Sequence, residues 1–249
     1  MIRTYLAVAT MVIYIFLNTL FFLPLLLILD EKKGVALTKF VKKNYGRFVI
    51  WLINAKVDIE YKDYKAFEEI SKKEPLVVVA NHQSFVDIPL ILGYLDINIG
   101  FVAKKEIKKW YLFNLWMDRA QCIFLDRSSP KEALKSFNEA IQFIKNGKSV
   151  CVFPEGTRTY NGQVGEFKKG SFKLALEPKV KILPVTIKGT YEIMNKNKFY
   201  IKRGRSIKLI VGRPIDIKEL DKDELKGINS KVREEIVNMI NVMTKWKMK

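Results

Sequence analysis

Between Tyr5 and Leu29 no side chain is charged; Arg3 precedes this run and Asp30, Glu31, Lys32 and Lys33 follow it. About 20 apolar residues suffice for a helix to cross a bilayer core, so the run predicts a helix that enters a membrane. It is too long for a signal-peptide core and has no small-residue cleavage site after it, which predicts that it is retained. Pro24 removes a helix hydrogen bond and predicts a kink near Phe22 or Leu23. In the next segment, Leu37 to Ala55, Leu37, Phe40, Val41, Tyr45, Phe48, Val49 and Leu52 recur at helical spacing. Lys39, Lys42, Lys43 and Arg47 fall on another face, the pattern of a basic amphipathic helix lying among lipid headgroups. Either the first helix spans the bilayer, or the two helices form a hairpin in one leaflet; the core helix of a soluble protein is a third reading that the length of the run disfavours. Pro24 and the amphipathic partner favour the hairpin.

After Lys56 the period shortens. VDIEY, LVVVA (Leu76–Ala80), GFVA (Gly100–Ala103), CIFLD (Cys122–Asp126), SVCVF (Ser149–Phe153) and KILPVTI (Lys181–Ile187) read as strands. FYIKRG and SIKLIVGRPI read as two more. Runs that are apolar throughout suit strands covered on both faces. Helical stretches lie between them. The clearest starts at Ser129-Pro130, places Ala133, Leu134, Phe137, Ala140, Ile141 and Ile144 on one stripe, and stops at Gly147. A last amphipathic helix is expected from about Ser230 to Trp246. The alternation predicts an α/β fold with a largely parallel or mixed central sheet flanked by helices, preceded by an N-terminal membrane-embedded two-helix motif. Residues 1–55 are expected to anchor the chain and 56–249 to form the domain that carries the chemistry.

Of 249 residues, 49% are hydrophobic, enough for a full core, and the formal net charge of +18 points to an anionic partner. Residues 168–208 alone hold twelve Lys or Arg against Glu177 and Glu192. That excess suits an anionic lipid surface; the uncharged amino-terminal run argues against nucleic acid as the rival partner. Cys122 and Cys151 sit in apolar runs without a C-x-x-C spacing, and the chain has one histidine, so no Cys/His zinc site is expected. No metal or cofactor is expected. Two buried thiols in a reducing compartment are expected instead.

His82 follows the first buried strand, within Asn81-His82-Gln83-Ser84-Phe85-Val86-Asp87. Ligands in open α/β sheets bind at the carboxyl ends of strands, and histidine is the natural base near neutral pH. Five residues are about 140° apart on a helix, so Asp87 reaches His82 only if the histidine lies on the strand-to-helix turn. Asp87 would then hold the imidazole in one tautomer, as in the Ser-His-Asp arrangement. An isolated pair of this kind is more often an ordinary turn histidine. A second strand end changes the balance: SVCVF runs into Pro154-Glu155-Gly156-Thr157-Arg158. Its turn can offer N–H groups to an anion, and Arg158 can clamp a phosphate. There is no G-x-S-x-G, Walker or G-x-G-x-x-G motif to suggest other chemistry.

N-H-x-S-x-x-D followed about 70 residues later by F-P-E-G-T-R resembles the 1-acyl-glycerol-3-phosphate acyltransferase family. The resemblance runs from about Pro75 to Thr190 and includes Phe124-Leu125-Asp126-Arg127 and Leu183-Pro184-Val185. It implies that His82 deprotonates the free hydroxyl of lysophosphatidate while Asp87 orients it. The oxygen would attack the thioester of acyl-CoA or acyl-carrier protein without an acyl-enzyme. It further implies that Arg127 and Arg158 bind the glycerol phosphate, that Glu155, Gly156 and Thr157 shape the pocket, and that Lys104 and Lys105 add positive charge. The place implied is the cytoplasmic face of the cell membrane. The sequence departs from the family pattern at Tyr111, Asn114 and Gln121, where many members carry Pro or Gly, and lacks the usual Gly before the fourth block in EPKVKILPV. Acylation of glycerol 3-phosphate or another lysophospholipid is the nearest alternative. A non-enzymatic protein docking on anionic membranes is the alternative of another class.

Overall fold

The computed structural model describes residues 2–109, 111–126, 128–194 and 200–246. Helix α1 (Ile2–Ile28) runs through Pro24 as one helical element. Helix α2 (Glu31–Leu52) starts six residues earlier than its hydrophobic period suggests, because Asp30 caps it by accepting the N–H of Lys33 at 2.9 Å. The two helices fold back on each other. Tyr14 stacks on Phe48 at 4.1 Å, Phe22 meets Phe40 edge-on, and Leu26 lies against Gly34.

The basic face of α2 makes contacts with the protein, although only Lys42 is buried and Arg47 stays exposed. Lys42 is buried and donates to Asn98 Oδ1, Ile99 O and Ala120 O at 2.8, 2.9 and 3.3 Å. Lys39 and Lys43 pair with Asp96, and Arg47 donates to Gly93 O. Headgroup contact is corrected for Lys42 alone, which is buried; Lys39, Lys43 and Arg47 help to seat α2 on the protein while keeping part of their surface exposed. The seat is tight, since a Cβ at Gly46 would lie 2.4 Å from both Gly93 N and Pro89 O. Apolar side chains stay exposed instead, among them Leu6, Ile13, Phe16, Leu20 and Phe21 of α1 and Trp51 of α2.

The sheet is mixed. Strands β1 (Lys56–Tyr61), β2 (Leu76–Ala80), β3 (Ile99–Lys104), β4 (Ile123–Leu125), β5 (Ser149–Val152), β6 (Lys181–Lys188) and β7 (Ser206–Val211) lie in the order β1-β7-β6-β2-β5-β3-β4. From β6 to β4 every pairing is parallel. β7 is antiparallel to β6, and β1 is parallel to β7, so these two run opposite to the other five. The carboxyl ends of β2, β3, β4, β5 and β6 consequently share one edge.

The unbroken apolar runs have two destinations. Leu76, Val78 and Ala80 join a core under α2 and α4 (Asp87–Tyr94), with Ile50, Leu90, Ile91 and Leu183. Val77 and Val79 face the other way, toward α6 (Pro130–Lys145), α7 (Lys169–Leu176) and α9 (Ile228–Trp246), with Ala140, Ile144, Phe172 and Val232. Burying each large aliphatic side chain contributes about 1.5–3 kcal/mol, so both faces hold the sheet. Cys151 is buried in β5 as expected, whereas Cys122 is half-buried.

FYIKRG is not a strand. Phe199 lies outside the described residues, and Ile201 makes only an isolated bridge to Met194. Its neighbours spend their N–H groups elsewhere: Ile201 on Thr4 Oγ1, Lys202 on Ile193 O, Gly204 on Ile53 O. The basic excess of 168–208 is also partly neutralised within the fold, Lys181 by Glu74 and Asp216, Lys208 by Asp58 and Glu60.

Candidate active site

Beyond β2 the chain leaves the sheet but stays tied to it. Asn81 pairs with the backbone of Ile187, donating to its carbonyl at 2.9 Å and accepting its N–H at 2.8 Å. His82 follows on an irregular turn, and α4 begins at Asp87. The turn solves the spacing problem: His82 Nδ1 lies 2.7 Å from Asp87 Oδ2. That oxygen also accepts the N–H groups of Gln83 and Ser84 at 2.6 and 2.9 Å, while Oδ1 accepts the Thr190 hydroxyl. Asp87 is fully buried, and such a burial is tolerated because its oxygens are satisfied. With Nδ1 directed at a carboxylate, the neutral tautomer that fits this contact is the one protonated at Nδ1, whose Nε2 has the lone pair. His82 retains 16% side-chain exposure, so that lone pair can meet a substrate.

The second block closes on the first. Phe153, just past β5, stacks on the imidazole at 4.0 Å with 15° between planes. Glu155 is buried; Oε1 accepts the N–H of His82 at 2.7 Å and Oε2 that of Gly165 at 3.0 Å. Burial pushes its carboxyl above the usual range, against the lowering effect of those two bonds. Thr159 N–H donates to His82 O at 2.9 Å. Gly156, at φ +72°, adopts a left-handed conformation that glycine takes without strain; a Cβ there would also meet Lys168 Nζ at 2.9 Å. Gly156 and Thr157 are exposed, and Thr157 lines a cleft of about 280 Å³ together with Glu155, Thr159, Gly165 and Lys168. Arg158 lies over Phe85, its guanidinium carbon 3.5 Å from the ring centroid, with Tyr160 at 5.2 Å. Its Nη1 is buried and has no hydrogen-bond partner among the described residues. Stacking thus holds a guanidinium with an unspent donor over Phe85, in the turn that carries His82.

His82, Asp87, Glu155 and Arg158 are therefore gathered at one edge. Lys104 ends β3 and Lys105 follows it, two strands from β2 along that edge. Lys104 is exposed, and Lys105 pairs with Asp126 at 2.6 Å. Arg127 lies outside the described residues. Sequence reasoning missed Thr190, and gave Phe153, Thr159 and Phe85 no role. Thr190 had one available signal: with Gly189 (φ +95°) it follows the end of β6, a further parallel strand.

Residues 62–188 match the family model described as Acyltransferase. The chain is 34% identical to the 1-acyl-sn-glycerol-3-phosphate acyltransferase of Saccharomyces cerevisiae, over 70% of this chain and 58% of the relative. It is 33% identical to a probable enzyme of that name from Mycoplasma pneumoniae, over 66% of this chain and 65% of the relative. Against these two relatives the chain spans less than two thirds of their length. With the corresponding probable enzyme of Mycoplasma genitalium it shares 34% identity over 74% of this chain and 72% of the relative. The crystal structure of the 1-acyl-sn-glycerophosphate (LPA) acyltransferase PlsC from Thermotoga maritima superposes with a TM-score of 0.78, at 28% identity, over 95% of both chains.

Proposed function

The chain belongs to the 1-acyl-sn-glycerol-3-phosphate acyltransferase family, and from that premise we propose that it converts lysophosphatidate to phosphatidate in phospholipid biosynthesis. The observation that carries this reading is the 2.7 Å contact of His82 Nδ1 with buried Asp87, at the strand edge that also bears Arg158. His82 Nε2 takes the proton of the acceptor's sn-2 hydroxyl as its oxygen attacks the thioester carbonyl. The tetrahedral intermediate collapses, the C–S bond breaks, and the proton passes from His82 to the departing sulfur. The oxygen–acyl bond forms directly, without an acyl-enzyme. Asp87 keeps Nδ1 protonated and stabilises the imidazolium formed in between.

Arg158 and Arg127 bind the acceptor phosphate, with Thr157 and the Gly156 backbone at the same turn and Lys104 and Lys105 adding positive charge along the edge. Glu155 shapes the pocket by fixing the loop. Residues 1–55 hold the enzyme at the membrane and 56–249 carry the chemistry. Two features support that division: α1 is long and apolar enough to cross a bilayer, and its antiparallel packing on α2 suits a hairpin entering from the cytoplasmic face. The donor is an acyl thioester of coenzyme A or of acyl-carrier protein.

The test is an assay of the purified protein in mixed micelles with both donors, against lysophosphatidate, glycerol 3-phosphate and lysophosphatidylcholine. Phosphatidate is the expected product. Acylation of only one of the other two acceptors would move the assignment to that substrate, and no acyl transfer to any acceptor would end it.

A further inference from the structure

The residues Phe153, Glu155 and Thr159 are spread over one loop, yet all three end on His82. The histidine lies between β2 and α4, where neither a ladder nor a helix satisfies its peptide groups. Its N–H goes to Glu155 Oε1 at 2.7 Å and its C=O to Thr159 N–H at 2.9 Å. Its ring lies flat on Phe153 at 4.0 Å. Asp87 contacts the imidazole only along its Nδ1 edge. One hydrogen bond leaves the ring free to tilt about that contact, and a parallel aromatic face removes the freedom.

We infer that Phe153 and Glu155 are positioning residues for the reaction, the first fixing the ring plane of His82 and the second its backbone. This deepens the reading of His82 as the base and rests on it. It gives the Phe153–Arg158 loop two separable tasks: its first half holds the base, and Arg158 meets the acceptor. Both Glu155 oxygens accept backbone N–H groups, of His82 and of Gly165, so the carboxylate ties three loop segments together. A glutamine would keep one acceptor and turn an amide N–H₂ toward the other N–H group. The position of Nε2 depends on the backbone and on the ring plane alike. Displacement of a reacting group by about 1 Å costs on the order of a hundredfold in rate.

His82 is the only histidine, so ring-nitrogen NMR of the ¹⁵N-histidine-labelled full chain in micelles reads it without assignment. The wild type should show a single Nδ1–H tautomer. Phe153→Leu and Glu155→Gln, which leave the Asp87 contact in place, should keep that tautomer but shift and broaden the ring-nitrogen signals, with kcat lower by about tenfold or more and KM for lysophosphatidate little changed. Phe153→Tyr, which keeps the ring, should restore the wild-type signals and most of kcat. A folded Phe153→Leu protein with wild-type spectra and wild-type kcat would overturn the inference, as would a rise in KM with kcat intact. Should Glu155→Gln not fold, the two Phe153 variants decide. A wild type inactive on lysophosphatidate would refute the proposed reaction, while the spectra would still decide the positioning of the ring.

Discussion

Thr190 donates its hydroxyl to the carboxylate of Asp87, on the oxygen that His82 does not touch. The base is thus linked through Asp87 to the end of β6, on the opposite side of β2 from β5 and the Phe153 loop. Both residues are fully buried, so water cannot replace the bond. Thr190→Val keeps the shape and deletes the donor. It should cost about 1.5–3 kcal/mol, the range for a hydrogen bond to a charged group, and lower kcat. Denaturant midpoints and steady-state kinetics check both, and Thr190→Ser should recover both.

Replacing the base separates chemistry from folding. His82→Ala should reduce kcat/KM by about 10²–10⁴, the usual contribution of a positioned acid or base, with the circular dichroism spectrum unchanged. Asp87→Asn should do more damage to the fold. Its amide N–H₂ would meet the N–H groups of Gln83 and Ser84, or the Thr190 hydroxyl, a mismatch worth about 1–3 kcal/mol. A His82→Ala enzyme with full turnover would exclude the mechanism.

Arg158 should act on acceptor affinity. Lysine keeps the charge, but it cannot stack flat on Phe85 and Tyr160 or present a planar fork to a phosphate. Arg158→Lys should raise KM for lysophosphatidate by about tenfold, one hydrogen bond's worth of binding, and leave kcat within a few-fold. The same variant should show no such rise with a monoacylglycerol lacking the phosphate. Equal losses on both acceptors would mean that Arg158 shapes the site without binding the anion.

Much of this site can be read along the chain because its parts are local. His82 and Asp87 are five residues apart, and one turn brings them together. Arg158 follows a strand whose apolar run announces its burial. Thr190 was not legible, because its partner is 103 positions away and only strand order makes β6 a neighbour of β2. The reversed pair β1 and β7 is likewise a fact of pairing. The basic face of α2 was legible only in part for a related reason: periodicity puts Lys39, Lys42, Lys43 and Arg47 together but is silent about the carbonyls of Ile99 and Ala120 that bury Lys42, and about Asp96 and Gly93, which the other three contact. FYIKRG has strand-like residues whose N–H groups are taken by Thr4 and Ile53, from distant parts of the chain, and by nearby Ile193.

Gln121 stands where many family members carry glycine, and its backbone shows what that glycine would do. Its φ is +64°, and its side-chain Oε1 is buried without a hydrogen-bond partner among the described residues. Left-handed geometry costs a non-glycine residue about 1–2 kcal/mol, while glycine loses about 0.5–1 kcal/mol through the freedom of the unfolded chain. Gln121→Gly should therefore stabilise by about 1 kcal/mol, because it also removes the unsatisfied oxygen. Thermal or denaturant unfolding checks this, and a lower midpoint would show that the Gln121 side chain has a compensating role.

The ion pair of Lys105 with Asp126 sets a pH dependence whose sign follows from its geometry. The ammonium at 2.6 Å, helped by the Ser128 N–H on the other oxygen, holds the Asp126 carboxyl well below the usual range. A carboxyl depressed on folding supplies stability that is complete above its unfolded pKa of about 3.9 and is lost as pH falls through its lower folded value. The pair is exposed on the lysine side, so added salt should weaken it. Lys105→Met should lower the denaturant midpoint by a constant amount between about pH 6 and 8, where Asp126 is ionised in both states. Below about pH 4 the gap between variant and wild type should close, because protonated Asp126 no longer distinguishes them. A gap that stayed constant down to the acid limit would assign the loss to the lysine stem packing on its neighbours rather than to its charge.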